Sequence, residues 1–275
     1  MLSRSFLVSF APASLVLMPL AAVPAVAQDM APHKAAYSVS TIENGKVSSG
    51  TIGTYAYEMK LTCEGYVITQ RLRLDVEGGR GAIASEQQSQ MTENKDGRTL
   101  HFEHRSMLNG RQASLVKGEA ILDDKGLGQA HFSEPENQSA ALPAGTLFPI
   151  AIARATIEHY KAGDSGFDGL FFYGEKPKPP QSVNVLIGKV PKRLADIKIP
   201  DGAAALAKGR DRIYYRGGFF DADAKNKGER PAFEMSSLML DNGIELWGTH
   251  EEGDNGGGIE YRITRLEALP RPECK

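Results

Sequence analysis

The residues of this sequence best suited by type to do chemistry are the serine turn Gly163-Asp-Ser-Gly166, the histidines His101 and His104, the acidic groups at 221–226 and 251–254, scattered carboxylates, and the cysteines Cys63 and Cys274. Each can be weighed by spacing. The serine turn resembles a protease nucleophile loop, but Phe167 replaces the next glycine and the nearest upstream imidazole, His159, falls inside a predicted helix. It reads as a turn that ends a helix. His101 and His104 are three apart on a predicted strand, so they face opposite sides of the sheet and cannot share a metal. They are expected at solvated or edge positions. Asp221, Asp223 and Asn226 hint at a calcium loop, yet Lys225 takes a ligand position, Asn226 the place of the glycine, and Ala232 that of the bidentate glutamate. Glu251, Glu252 and Asp254 read as a solvated acidic turn. No phosphate-cradling glycine loop, H-E-x-x-H or G-x-S-x-G occurs. No catalytic residue, metal or cofactor is therefore assigned. The remaining enzymatic alternative is a periplasmic hydrolase using paired carboxylates such as Glu58, Glu103 or Asp168, which would need to stand about 5 to 9.5 Å apart in a cleft.

The cysteines take their meaning from compartment. Arg4 supplies a short positive region, Phe6 to Leu20 an apolar stretch, and Ala25-Val26-Ala27 a small-residue cleavage site, so residues 1–27 read as a Sec signal peptide cut after Ala27. Pro12 and Pro19 interrupt the roughly 20 apolar residues that a membrane span requires. There is no twin arginine, and no cysteine at the cut for lipid attachment. The chain is expected in the periplasm. In that oxidising compartment an even pair of cysteines reads first as a disulfide, with two buried thiols or an intermolecular bridge as the alternatives.

Composition sets the frame. The 275 residues carry 32 basic and 34 acidic groups, a formal charge of −2, which provides no field for gathering nucleic acid or anionic lipid. With 29 Gly and 15 Pro, turns should be many and long helices few. The dominant period is two. Tyr66, Ile68, Gln70, Leu72, Leu74 and Val76 alternate with Thr69, Arg71, Arg73 and Asp75, and the pattern returns at 100–103 and 259–264. Between such runs stand Asn44-Gly45, Gly78-Gly79, Asp96-Gly97, Asn109-Gly110, Asn242-Gly243 and Asn255-Gly256, residues that accept the positive φ angles of tight hairpins. An antiparallel meander follows. One stretch differs: from Thr146 to Ala162, Ile150, Ala153, Ile157 and Tyr160 recur at helical spacing, with Pro149 in the first turn and Gly163 placed to stop the helix. A second helical stretch at Ala203–Lys208 is too brief to stand as an element by itself, and Lys176-Pro-Lys-Pro-Pro180 reads as a connector between two sheet halves.

A resemblance spans nearly the whole chain after the leader. His33-Lys-Ala35 with Tyr37, Cys63-Glu-Gly-Tyr66 followed by Gln70-Arg71, Glu93-x-x-Asp96-Gly97, Leu142-Pro-Ala-Gly-Thr-Leu-Phe-Pro149, Phe167-Asp-Gly169, Ile187-Gly188, and Leu269-Pro270 with Cys274 stand in an order similar to that of the EipB-like cell-envelope-integrity proteins. The resemblance implies a periplasmic β-spiral with bridged cysteines. In fold class it is mainly β, a large, strongly curved antiparallel sheet like that of lipoprotein carriers, with one main amphipathic helix. With the cysteines bridged and the proline-rich segment as connector, residues 28–275 read as a single domain with two sheet halves joined near 163–182. The resemblance further implies maintenance of the envelope barrier under stress, with no enzymatic activity implied; together with export, the β pattern and the lack of a nucleophile–base constellation, this gives the expectation of a non-enzymatic factor that binds a periplasmic protein, lipoprotein or lipid partner. The family usually has Trp where Tyr66 stands and a His soon after the Phe-Pro, where this chain has Ile152 and Ala153. Inward residues of such a sheet, Tyr66, Leu72, Phe102, Phe148, Ile152 and Tyr261, are the candidate lining of a groove for an acyl chain or lipoprotein segment. Alternatively, the helix fills that groove.

Overall fold

The structure, a computed structural model, describes residues 30–78, 81–222, 230–253 and 257–274. The leader expected at 1–27, the Gly78-Gly79 and Asn255-Gly256 turns in part or whole, and Asp223, Lys225, Asn226 and Asp254 lie outside the described residues. The strands are β1 (His33–Glu43), β2 (Lys46–Val47), β3 (Gly53–Leu61), β4 (Gly65–Gly78), β5 (Gly81–Asn94), β6 (Thr99–Leu108), β7 (Arg111–Leu122), β8 (Gly128–Glu134) and β9 (Gln138–Leu142). After these come β10 (Thr146–Leu147), β11 (Gly166–Phe171), β12 (Gln181–Gly188), β13 (Arg212–Phe220), β14 (Phe233–Leu240), β15 (Glu245–Glu252) and β16 (Gly258–Ala268). Helix α1 (Pro149–Ala162) lies between β10 and β11, and the one-turn helices α2 (Lys192–Ala195) and α3 (Ala204–Ala207) lie between β12 and β13.

All strands belong to one sheet. From β3 to β9 and from β11 to β16, successive strands pair as antiparallel neighbours, and β1 joins the two series by pairing with β3 on one side and β16 on the other. The ladder ends at β9 and β10, which are consecutive in the chain, so the sheet is a nearly closed ring cut at that one place. Only the short β10–β11 contact is parallel among the described pairs. The turns are those that the dipeptides demand: Asn44 and Gly45 have φ of 51° and 71°, and Asn109 and Gly110 of 49° and 76°, matching the right-handed strand twist. The proline segment 176–180 connects β11 to β12, which are adjacent strands of the same sheet.

The helix forms where its spacing indicates. Pro149 opens it, Gly163 ends it at φ 81°, and Ile150, Ala153, Ile157 and Tyr160 turn to a core shared with Met59, Tyr66, Ile68, Met91, Leu100, Phe102 and Phe148. It therefore fills part of the ring. On the other face of the sheet, the excursion with α2 and α3 covers Leu238 and Trp247 with Leu194, Ile197 and Ala203, and Arg193 stacks 4.9 Å from the Trp247 ring. Cys63, in the turn between β3 and β4, is bonded to Cys274 across 211 residues of sequence, with Cα atoms 5.6 Å apart.

Candidate functional site

Alternation directs a single set of side chains into the ring. On β1 and β3 these are Tyr37, Tyr55 and Tyr57; on β13, Tyr215; on β14, Ser237; on β16, Tyr261; cross-strand register places Tyr55 opposite Tyr37 and Tyr215 opposite Ser237. An irregularity adds the charge. The β14–β15 register slips between Leu238 and Met239, so Glu245 stands opposite Met239 and its carboxylate turns to the side of Ser237. Ser237 Oγ donates to Glu245 Oε1 at 2.5 Å and Tyr261 Oη donates to the same oxygen at 3.1 Å, while Tyr37 Oη donates to the Glu245 carbonyl at 2.9 Å. Burial pushes the Glu245 carboxyl from its ordinary value near 4.5 up to about 7, against the pull of the two hydroxyls. The phenols of Tyr37, Tyr55 and Tyr261 are raised chiefly by the same burial, with the nearby Glu245 charge adding to it.

The rings pack against one another. Tyr37 stacks on Tyr55 with centroids 5.2 Å apart, and both meet the edge of Tyr261 at 5.7 and 5.6 Å. Tyr55, Tyr57, Tyr173, Tyr215 and Glu245 are half-buried on the inner face, so each keeps part of its surface accessible. A second polar group adjoins them. The Tyr173 hydroxyl donates to Gln70, and His104 donates from Nε2 to the Tyr173 carbonyl at 2.9 Å while its Nδ1 meets Ser89 Oγ at 2.9 Å. Burial holds the His104 imidazole below its ordinary value, in keeping with a neutral ring whose nitrogens are both occupied.

At the helix end the inner face is closed. Glu93 is fully buried and accepts the first amides of α1, Ile150 N–H at 2.7 Å and Ala151 N–H at 2.9 Å. These are orphan donors of a helix start, where a carboxylate is favoured. Arg154 bonds the Tyr66 hydroxyl and the Lys95 carbonyl, with its guanidinium 5.0 Å from the Tyr66 ring centre. Burial still dominates and raises the Glu93 carboxyl to about 7.

The six candidate groove residues divide between these surroundings. Tyr66, Phe102 and Phe148 are buried beneath the helix, and Ile152 packs with Val183, Val185 and Phe219. Leu72 and Tyr261 stand with the tyrosines. His101 is exposed on the outer face, whereas His104 is buried, because the inner face at β6 is covered by Phe172, Tyr173 and the helix-side core rather than by solvent. Among the carboxylates, Glu58 pairs with Lys34 at 2.7 Å and Lys60 at 2.6 Å, and Glu103 with Lys117 at 3.0 Å and Arg105 at 3.1 Å. Asp168 accepts from Asn184 at 2.8 Å. They occupy β3, β6 and β11, which are not neighbours in the sheet. Glu93, Glu245 and Tyr173 carry the interior polarity without having been singled out as polar sites; the Glu93 motif was visible, but Glu245 depends on a bulge and Tyr173 on a loop.

Known proteins align with the chain over most of its length. The pattern of a family described as EipB-like matches residues 24–246. The cell envelope integrity protein EipB of Brucella abortus (strain 2308) is 26% identical over 243 residues, covering 85% of this chain and 83% of that protein. A crystal structure of a β-barrel-like protein of domain of unknown function DUF1849, also from Brucella abortus, superposes with a TM-score of 0.74 at 20% identity, covering 88% of this chain and 99% of the other.

Proposed function

The chain belongs to the EipB-like family, and from that premise we propose that it is a non-enzymatic periplasmic factor that preserves the cell envelope by binding a protein, lipoprotein or lipid partner. The family relative is named for envelope integrity. The observation that carries the binding reading is the half-buried wall of Tyr55, Tyr57, Tyr215 and Glu245 inside the ring. Hydroxyls that rotate about a single bond can leave an internal partner for a ligand without moving the backbone, and aromatic rings offer contact area at small entropic cost. Export through the leader at 1–27 and the Cys63–Cys274 bond both suit an oxidising compartment. No helix among the described residues is long and apolar enough to cross a membrane.

A deletion strain tests this reading. It should become sensitive to detergent and recover with the parent gene, and mass spectrometry of protein purified from its native compartment should find a bound partner. A strain with an unimpaired barrier overturns the proposal.

A further inference from the structure

On the outer face, away from the tyrosines, three adjacent strands hold a histidine, a glutamate and a histidine side by side. His101 on β6 is the register partner of Glu119 on β7, and Glu119 is the register partner of His131 on β8. We propose that this row is a binding site for a divalent transition-metal ion of the Zn2+ class, held by the two imidazoles and the carboxylate, with a fourth position open.

Geometry supports it first. Side chains directly opposite on neighbouring antiparallel strands have Cβ atoms about 4.5–5.5 Å apart. An ion above the central carboxylate therefore stands within reach of an imidazole on either side at the ordinary bond length of about 2.0–2.2 Å. His101 Nδ1 is already 3.8 Å from Glu119 Oε2. As the rotamers stand, no three such groups among the described residues converge on one point. All three side chains are half-buried or exposed, so closing on an ion requires only χ rotation.

The surface is shaped for it. The β7–β8 ladder shifts register between Lys117 and Gly118, and Gly118 approaches β8 so closely that a Cβ there would lie 2.3 Å from the His131 carbonyl oxygen. The bend accompanies an outward-facing depression of about 550 Å³, whose lining includes His101, Glu119 and His131. Two further lining groups, Lys117 and Glu103, neutralise each other at 3.0 Å. Hydroxyls flank the row, because Thr92 is opposite His101 and Ser139 opposite His131, where they can orient the imidazole nitrogen not used for the metal. Two imidazoles with one carboxylate suit Zn2+ and leave one position for water or an outside ligand.

The test is Zn2+ titration of the protein, free of any histidine tag, against a chromogenic chelator. One saturable equivalent is expected, with affinity falling at least tenfold in each of His101→Ala, Glu119→Gln and His131→Ala. These positions are away from the core, so the melting temperature of each metal-free variant should match the parent, and ring proton signals of His101 and His131 alone should shift with Zn2+. Absence of saturable binding overturns the proposal. So does binding that survives His131→Ala, or that is lost instead in His159→Ala, where another imidazole lies 2.7 Å from Asp164.

Discussion

Glu93 and Glu245 point into the same ring, and burial lifts both to about 7, yet they are held in different ways. Glu93 receives two backbone amides fixed by the start of α1. Glu245 receives hydroxyls from Ser237 and Tyr261, which can turn elsewhere. Around Glu93 the interior is closed by helix and core; around Glu245 the walls stay partly accessible. One carboxylate thus holds structure together, and the other sits in a wall that can exchange partners. Changes near the helix should therefore act on stability, and changes near the tyrosines on binding.

The largest effect should come from what serves both regions. Cys63 lies in the turn between β3, which carries Tyr55 and Tyr57, and β4, which carries Tyr66, and the bond draws the C-terminal tail to that turn. With 211 residues enclosed, the chain-entropy relation gives up to about 5 kcal/mol. Cys274→Ser should lower the melting temperature in oxidising buffer and leave the reduced protein almost unchanged. Equal melting of the parent with and without reductant would break this expectation.

Next is the latch itself. Glu93→Ala leaves the Ile150 and Ala151 amides without an acceptor in a buried site, and should destabilise the protein by about 3–5 kcal/mol in urea unfolding at constant slope. A loss below 1 kcal/mol would show that the helix start does not depend on the carboxylate, and the contrast between the two glutamates would fail.

Much of this contrast was hidden in the sequence, and the reasons are physical. Period two and the Asn-Gly turns are local, so strands and hairpins were legible, as was α1 between Pro149 and Gly163. The curling of the sheet came from the family resemblance rather than from local pattern, because β1 and β16 pair from opposite ends of the chain. Alternation identified Tyr66 and Phe102 as inward, and helical spacing marked Ile150 and Ile157 as a stripe laid against the sheet, but which inner residues that stripe covers is set by long-range contacts. Glu245 occupies the inner face only because a bulge shifts its register, and a one-residue slip sends a side chain to the opposite face.

The pH dependence separates Glu245 from its surroundings. A carboxyl whose value rises from about 4.5 to about 7 on folding favours the protonated native state. Its stabilisation is full below pH 4.5 and is lost as pH rises through 7. His33, lowered to about 4, works in the opposite sense as pH falls below 6.5, and His104 and His250 are lowered too. The difference between Glu245→Gln and the parent removes those shared contributions. That difference should shift in favour of the variant by about 2–3 kcal/mol between pH 5 and pH 8. A flat difference would mean that Glu245 ionises as freely as in water.

The smallest effect on stability should fall at Tyr55. Its hydroxyl makes no hydrogen bond to protein among the described residues, whereas the Tyr261 hydroxyl serves Glu245. Tyr55→Phe should therefore change unfolding free energy by less than about 0.5 kcal/mol, against about 1 kcal/mol lost in Tyr261→Phe. If the tyrosine wall meets a ligand, Tyr55→Phe combined with Tyr57→Phe should restore detergent resistance poorly in the deletion strain while melting like the parent. Full rescue by that pair would remove the hydroxyls from the binding account and leave the wall, like the helix side, with a packing role alone.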